Sequence, residues 1–410
     1  MHPREQDYPA IADLRTRARR RVPRSIWAFL EGGTGDDQCV QRNLESLAHI
    51  TLLPRLLKGK FEPVIETTVF GQSYNAPFGV APVGLSGAIW PQAECLLAKT
   101  AAKYRIPYTL STLAGETPET VGPLAGDMGW FQLYPPRDLK IREDLLHRVK
   151  DSGFRVMVVT ADVPMPSRRE SMTRAGLKMP PIISPAFVLQ AALCPAWTVA
   201  TLQAGLPRLK TMEKYANTTQ LSDLLPFVAR NIGGSLSWDY LKEVRDLWEG
   251  PLVVKGLLHP ADAARAIALG VDGIQVSNHG GRQFNGSPAA IDVLPAIVEV
   301  VKGRAEVLFD SGIRSGLDIL RALAVGADFV LLGRAFQYGV AALGQAGSDL
   351  VMEILIADLK NNMSQTGCAS LQEIRGMREM TNSSDTAALS APHPSADFSS
   401  GFSRAEDARG

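Results

Sequence analysis

The chain has 410 residues, 45% of them hydrophobic, enough for a large core in one α/β barrel or in two smaller domains. A formal net charge of +1 gives no general electrostatic reason to expect nucleic acid or an acidic membrane as a partner. Cys39, Cys95, Cys194 and Cys368 are scattered without CxxC spacing, which fits free thiols in a reducing, cytoplasmic compartment; no metal site is indicated.

In chain order, residues 11–31 carry helical periodicity, with Pro23 opening a second helix and Gly32 and Gly33 closing it. The basic run at 15–21 reads as a solvated helix face, because Glu5, Asp7 and Asp13 lie before or among the arginines and no apolar signal core follows. From about residue 78, eight short apolar runs alternate with helical stretches, at 78–82, 108–112, 130–134, 156–162, 252–256, 273–277, 306–310 and 329–333. The alternation predicts a (β/α)8 TIM barrel over residues 61–380, behind an N-terminal helical segment at 1–60. A doubly wound sheet is the rival, but it does not need eight strands that each end in a polar or glycine-bearing motif.

A long insertion, 173–238, follows the fourth strand. Its stretch 179–207 holds no charged residue over 29 positions, long enough to cross a membrane by length alone. Pro180, Pro181, Pro185 and Pro195 argue against one continuous helix, leaving a lid or a monotopic membrane-contacting loop. The tail 381–410, rich in Ser, Ala, Asp and Pro, is expected to be disordered.

Chemistry concentrates at strand ends. Residues 277–283 read SNHGGRQ, directly after the sixth apolar run. A histidine there can take a proton near neutral pH, and an arginine three residues on can hold a carboxylate; the competing reading is an ordinary polar turn. Asp310, Ser311, Gly312, Ile313 and Arg314 form a strand-to-helix turn suited to a phosphate, and Gly333 and Arg334 end the next strand similarly. Lys255 closes the fifth run, where an unpaired core ammonium would be costly.

SNHGGRQ resembles the signature of the FMN-dependent α-hydroxy acid dehydrogenases and oxidases. The resemblance extends from about Asp13 to about Thr381, and GLSGAIWPQAE, WFQLY, KGLL and EMTN look most like the mandelate dehydrogenase branch. It implies FMN as cofactor and oxidation of an (S)-2-hydroxy acid to the 2-oxo acid. By resemblance, His279 accepts the proton and Asp162 steadies the imidazolium, raising its basicity. Arg282 holds the carboxylate with help from Arg169, and Tyr134 bonds the substrate oxygen. Lys255 is implied near the flavin N1 and O2 atoms, with Ser111, Gln132, Thr160 and Ser277 on the ring and ribityl chain. Val83 and Gly84 fall beside the flavin; the glycine, where oxidases of the family usually carry alanine, implies a dehydrogenase passing electrons to a quinone or other acceptor. An oxidase making hydrogen peroxide is the alternative. The family also implies a homotetramer, and its mandelate branch implies peripheral membrane contact through the insertion.

One departure stands out. The family normally supplies a tyrosine hydroxyl to the substrate carboxylate from the segment matching WAFLEGG, and this chain has Phe29 there. Phe29 is either a packed aromatic or a changed substrate contact, and it keeps open a flavoprotein acting on a different substrate.

Overall fold

The computed structural model describes residues 6–177, 184–233, 236–375 and 377. Eight parallel strands close a barrel: β1 (Phe78–Val80), β2 (Tyr108–Ser111), β3 (Gly129–Leu133), β4 (Val156–Thr160), β5 (Leu252–Lys255), β6 (Gly273–Val276), β7 (Glu306–Phe309) and β8 (Phe329–Leu332). They lie in chain order around the ring, and β8 pairs with β1 through Val330 and Phe78. This is the expected (β/α)8 TIM barrel.

Side chains alternate along each strand, so one set fills the barrel and the other packs under the helices. Trp130, Val156, Val158, Val253, Leu308, Phe329 and Leu331 form a separate buried cluster inside the ring. A short antiparallel hairpin, Thr67–Val69 with Gln72–Tyr74, plugs the bottom, where Tyr74 accepts a hydrogen bond from the Trp130 indole at 3.0 Å. Phe131, Met157, Val159, Val254, Ile274 and Phe309 point the other way into the larger core. The alternation carries a functional consequence. Two residues beyond Trp130, Val158, Val253 and Leu308, the inward positions are Gln132, Thr160, Lys255 and Asp310, all buried at the C-terminal mouth. Apolar bottom and polar top thus follow from one period-two pattern.

Three N-terminal helices, α1 (Ile11–Arg21), α2 (Arg24–Glu31) and α3 (Gln38–His49), pack against the barrel. Pro23 caps α2, as the sequence predicts. The carbonyls of Leu30 and Gly32, at the end of α2, accept from Arg282 and Arg334, so α2 closes over the mouth. A helix C-terminus carries partial negative charge, which suits two guanidinium groups.

The insertion folds into short helices, Pro185–Ala192, Pro195–Ala204, Lys210–Ala216 and Leu221–Asn231. Among the described residues no single helix is long and apolar enough to cross a membrane; the first two meet at a bend of 107°. Prolines at the start of both helices produce that break. The tail expected to be disordered, 381–410, lies outside the described residues, as do 178–183 of the insertion.

Candidate active site

A cavity of about 1000 Å³ opens at the C-terminal mouth, lined by Phe29, Val83, Gly84, Tyr134, Arg169, Lys255, His279, Arg282, the 310–314 loop, Gly333 and Arg334. Six arginines and lysines line it against one carboxylate, Asp310, which favours an anionic occupant.

His279 sits in the left-handed backbone region, φ +58, a conformation that a non-glycine residue holds only when its surroundings fix it. Ser277 Oγ accepts from the His279 backbone amide at 3.0 Å, and Ser311 Oγ accepts from the Gly280 amide at 3.1 Å. Behind the loop, Asn278 and Asn43 of α3 exchange amide hydrogen bonds at 2.7 and 2.9 Å, both residues buried. Sequence reading missed Asn43, because its partner lies 235 residues away.

The imidazole Nδ1 lies 2.8 Å from Asp162 Oδ1, and Nε2 lies 3.3 Å from the Tyr134 hydroxyl. Burial pushes Asp162 up, but His279 and Lys255 outweigh it and hold its pKa at about 2. An ionised carboxylate can only accept, so Nδ1 carries the proton and Nε2 keeps its lone pair toward the cavity. Burial is also the largest influence on His279, and with the nearby Lys255 and Arg169 it holds the imidazole below its ordinary value despite Asp162. Asp162 does pull His279 toward greater basicity, as the resemblance implies. The carboxylate acts in that direction, and burial among cations overrides it. The imidazole is neutral at pH 7, the form a base needs.

Lys255 Nζ donates to Ser277 Oγ at 2.9 Å and lies 3.4 and 3.6 Å from Asp162 and Asp310. Those carboxylates keep its pKa raised in spite of burial. Gly256, the next residue, has φ +100, and a Cβ there would fall 2.5 Å from the Asp162 carboxyl carbon, so only glycine lets β5 pass this close.

Arg169 and Arg282 form no ion pair with a carboxylate among the described residues. Arg282 donates to Gly32 O at 2.7 Å and lies over the Phe29 ring at 5.4 Å. Arg169 donates to Ser167 Oγ at 3.3 Å. Its neighbour Arg168 is the one that pairs with Glu170, at 3.6 Å, which leaves Arg169 on the cavity wall. Burial lowers the pKa of both Arg169 and Arg282, as expected of cations waiting for an anion.

The remaining predicted residues border the same cavity or its polar floor. Ser111 donates to Gln132 at 2.8 Å, and Gln132 donates to Thr160 at 2.8 Å, forming a buried chain across β2, β3 and β4. Ser277 donates to Asp310 at 2.6 Å, and Gln275, unremarked in the sequence, donates to the other oxygen of Asp310 at 2.6 Å. Gly312 has φ +102, and a Cβ there would meet Leu47 at 2.7 Å, so the 310–314 turn requires glycine. Arg314 donates to the carbonyl of Ile313 at 2.8 Å and lies 5.9 Å from the Tyr338 ring. Arg334 gives its donors to Leu30, Gly280 and Gly32 carbonyls, so it also ties α2 to the His279 loop.

A phosphate turn after β7, a glycine after β8, an ammonium ending β5 and an imidazole–carboxylate pair facing two arginines together fit FMN and an anionic substrate on one barrel mouth. That combination defines a flavin-dependent oxidoreductase. The chain belongs to the FMN-dependent dehydrogenase family, which it matches over residues 18–380, and FMN is its cofactor. It is 39% identical over 367 residues to an L-lactate dehydrogenase of Pseudomonas aeruginosa, covering 89% of this chain and 96% of that protein. Among solved structures it resembles the monotopic membrane protein (S)-mandelate dehydrogenase, with TM-score 0.86 and 34% identity over 89% of this chain and 97% of that one. A mandelate oxidase matches with TM-score 0.77 and 33% identity over 90% and 97%.

Proposed function

We propose that the chain oxidises an (S)-2-hydroxy acid to the 2-oxo acid as an FMN-dependent dehydrogenase, with His279 as base. The observation that carries this reading is the His279–Asp162 contact at 2.8 Å, which leaves Nε2 directed at Tyr134 beside two arginines that pair with no carboxylate among the described residues. FMN, when bound, supplies the two-electron acceptor for the substrate's α-carbon. Arg282 and Arg169 hold the substrate carboxylate and so fix the α-carbon in the cavity. Tyr134 bonds the 2-oxygen; burial raises its pKa, so the hydroxyl stays a donor. His279 Nε2 takes the proton, and Asp162, which remains ionised, stabilises the imidazolium. Val83, Gly84, Ser111, Gln132, Thr160, Lys255, Ser277, the 310–314 turn, Gly333 and Arg334 are the residues that would hold the cofactor. Anaerobic bleaching of the flavin absorbance by (S)-2-hydroxy acids tests the reading; no bleaching by any of them sinks it. Slow return of colour in air separates dehydrogenase from oxidase.

A quinone as acceptor, reached from a membrane surface, is the finer reading. Val188, Leu189, Leu193, Val199, Leu202 and Leu206 of the bent helix pair and its exit are all more than half exposed, an apolar patch that costs free energy in water. Arg17, Arg20 and Arg21 line the adjoining groove with Asp7, Asp13, Cys194 and Pro195, a lining with an excess of basic groups, and basic groups near a surface favour an anionic bilayer. The similarity to a monotopic membrane protein supports the same reading. Flotation with anionic liposomes tests it, and failure to float removes it. The tetramer implied by the family is tested by sedimentation velocity in detergent.

A further inference from the structure

Gln275 interrupts an otherwise apolar strand. β6 reads Gly273, Ile274, Gln275, Val276, all buried, and Gln275 stands in register with Lys255 of β5 on one side and Leu308 of β7 on the other. Leu308 belongs to the apolar cluster inside the ring, and Lys255 lines the cavity at the mouth. Residues in register share a face of the sheet, so Gln275 points inward where apolar filling gives way to polar groups. An aliphatic side chain would suit that level, because burying an amide is unfavourable unless its hydrogen bonds are made. Here they are made at one end only. Nε2 donates to Asp310 Oδ2 at 2.6 Å, whereas Oε1 is buried with no hydrogen-bond partner among the described residues. An ionised carboxylate can only accept, which fixes the NH2 end of the amide toward Asp310.

What the amide does is visible at Asp310. Its Oδ1 accepts from Ser277 Oγ at 2.6 Å and from Ser311 Oγ at 2.8 Å, and its Oδ2 accepts from Gln275. Lys255 Nζ lies 3.6 Å from that same Oδ2, beyond hydrogen-bond reach. It donates instead to Ser277 Oγ at 2.9 Å and lies 3.4 Å from Asp162 Oδ2. The ammonium thus stands between two carboxylates, and the glutamine occupies an oxygen of one of them. Without a donor from position 275, Oδ2 would be a buried anionic oxygen short of a partner beside a flexible cation. Closing that gap to a charge-assisted hydrogen bond takes a movement of only about 0.8 Å.

We propose that Gln275 is a positioning residue for Lys255: by occupying Asp310 Oδ2 it keeps the ammonium from closing on Asp310 and leaves its charge toward Asp162 and the FMN cavity. This rests on the reading above that Lys255 is among the residues that hold the cofactor. Reduced FMN carries negative charge, and a fixed cation stabilises it more than the oxidised form. The placement of the ammonium is therefore read in the reduction potential of the bound flavin.

The test is the midpoint potential of bound FMN, measured with mediator dyes in the holoenzyme of the wild type, Gln275→Met, Lys255→Met and the double variant. Methionine fills a similar volume and brings no N–H donor. Gln275→Met is expected to lower the equilibrium constant for two-electron reduction roughly tenfold, a fall of about 30 mV. It should have no further effect once Lys255 is replaced, because no ammonium is left to misplace. An unchanged potential in Gln275→Met overturns the proposal, and so does an equal fall in the Lys255→Met background, which would make the effect of the glutamine direct. A Lys255→Met potential equal to that of the wild type overturns both the proposal and the cofactor role of Lys255. Gln275→Leu repeats the comparison if the methionine variant does not fold with FMN. The measurement needs no substrate, so a flavin that no 2-hydroxy acid reduces, with the tenfold shift intact, would remove the 2-hydroxy acid reading and keep this one.

Discussion

The imidazole of His279, at the end of β6, meets the carboxylate of Asp162, at the end of β4, at 2.8 Å, reaching past the intervening strand β5. That strand contributes Lys255, whose ammonium lies 3.4 Å from the other oxygen of the same carboxylate. One anion therefore fixes the base's tautomer and offsets the buried ammonium. Replacing Asp162 by Asn leaves Lys255 with less compensation and lets His279 adopt either tautomer. Flavin reduction in stopped flow is expected to slow by roughly 100-fold or more; a loss of less than threefold would remove Asp162 from the mechanism.

The pH dependence follows from the direction of the His279 shift. Its ordinary value is 6.5 and its pKa in the folded chain is lower, so the neutral base predominates above 6.5 and gives way to the protonated form as pH falls beneath that value. The rate of flavin reduction should be level around neutrality and decline on an acid limb whose midpoint lies below 6.5. A midpoint above 6.5 would mean that Asp162 dominates the imidazole's surroundings.

Restoring a hydroxyl at Phe29 should strengthen the hold on the substrate's charged end, since a hydrogen bond to a charged group contributes about 1.5–3 kcal/mol. The ring already lies 5.4 Å from the Arg282 guanidinium. Phe29→Tyr is expected to lower KM for short 2-hydroxy acids by roughly tenfold to a hundredfold, with a smaller effect on substrates bound mainly through their side chains. Equal KM values for lactate in both proteins would mean that Phe29 is only a packed aromatic.

Asn43→Ala removes half of the reciprocal amide pair and leaves the buried Asn278 side chain short of partners. The expected cost is about 1–3 kcal/mol in urea unfolding, together with slower flavin reduction as the His279 loop loosens. The structural part of this expectation fails when the unfolding midpoint does not move.

Much of the fold is legible in the sequence because parallel barrel strands are buried on both faces and read as apolar runs. The end of the first run is overextended. Strand pairing stops at Val80, although Ala81 still donates to Leu332 O at 2.9 Å. The polar residues at the strand ends are visible for the same reason: a lysine after LVV or an aspartate after EVLF breaks an apolar pattern. What the pattern cannot carry is long-range partnership. Nothing local in the sequence announces that Asn43 meets Asn278, that Arg334 spends its donors on the end of α2, or that burial, helped by Lys255 and Arg169, lowers His279 against the pull of Asp162. Those outcomes depend on which loops share the barrel mouth.

The most direct test of the account is anaerobic flavin reduction by an (S)-2-hydroxy acid in the wild type and in His279→Gln, with FMN content measured in both. The account predicts rapid bleaching in the wild type and a rate at least 100-fold lower in the variant at equal FMN content. Comparable bleaching in the two proteins would contradict it, because the proton would then be leaving by a route that His279 does not provide.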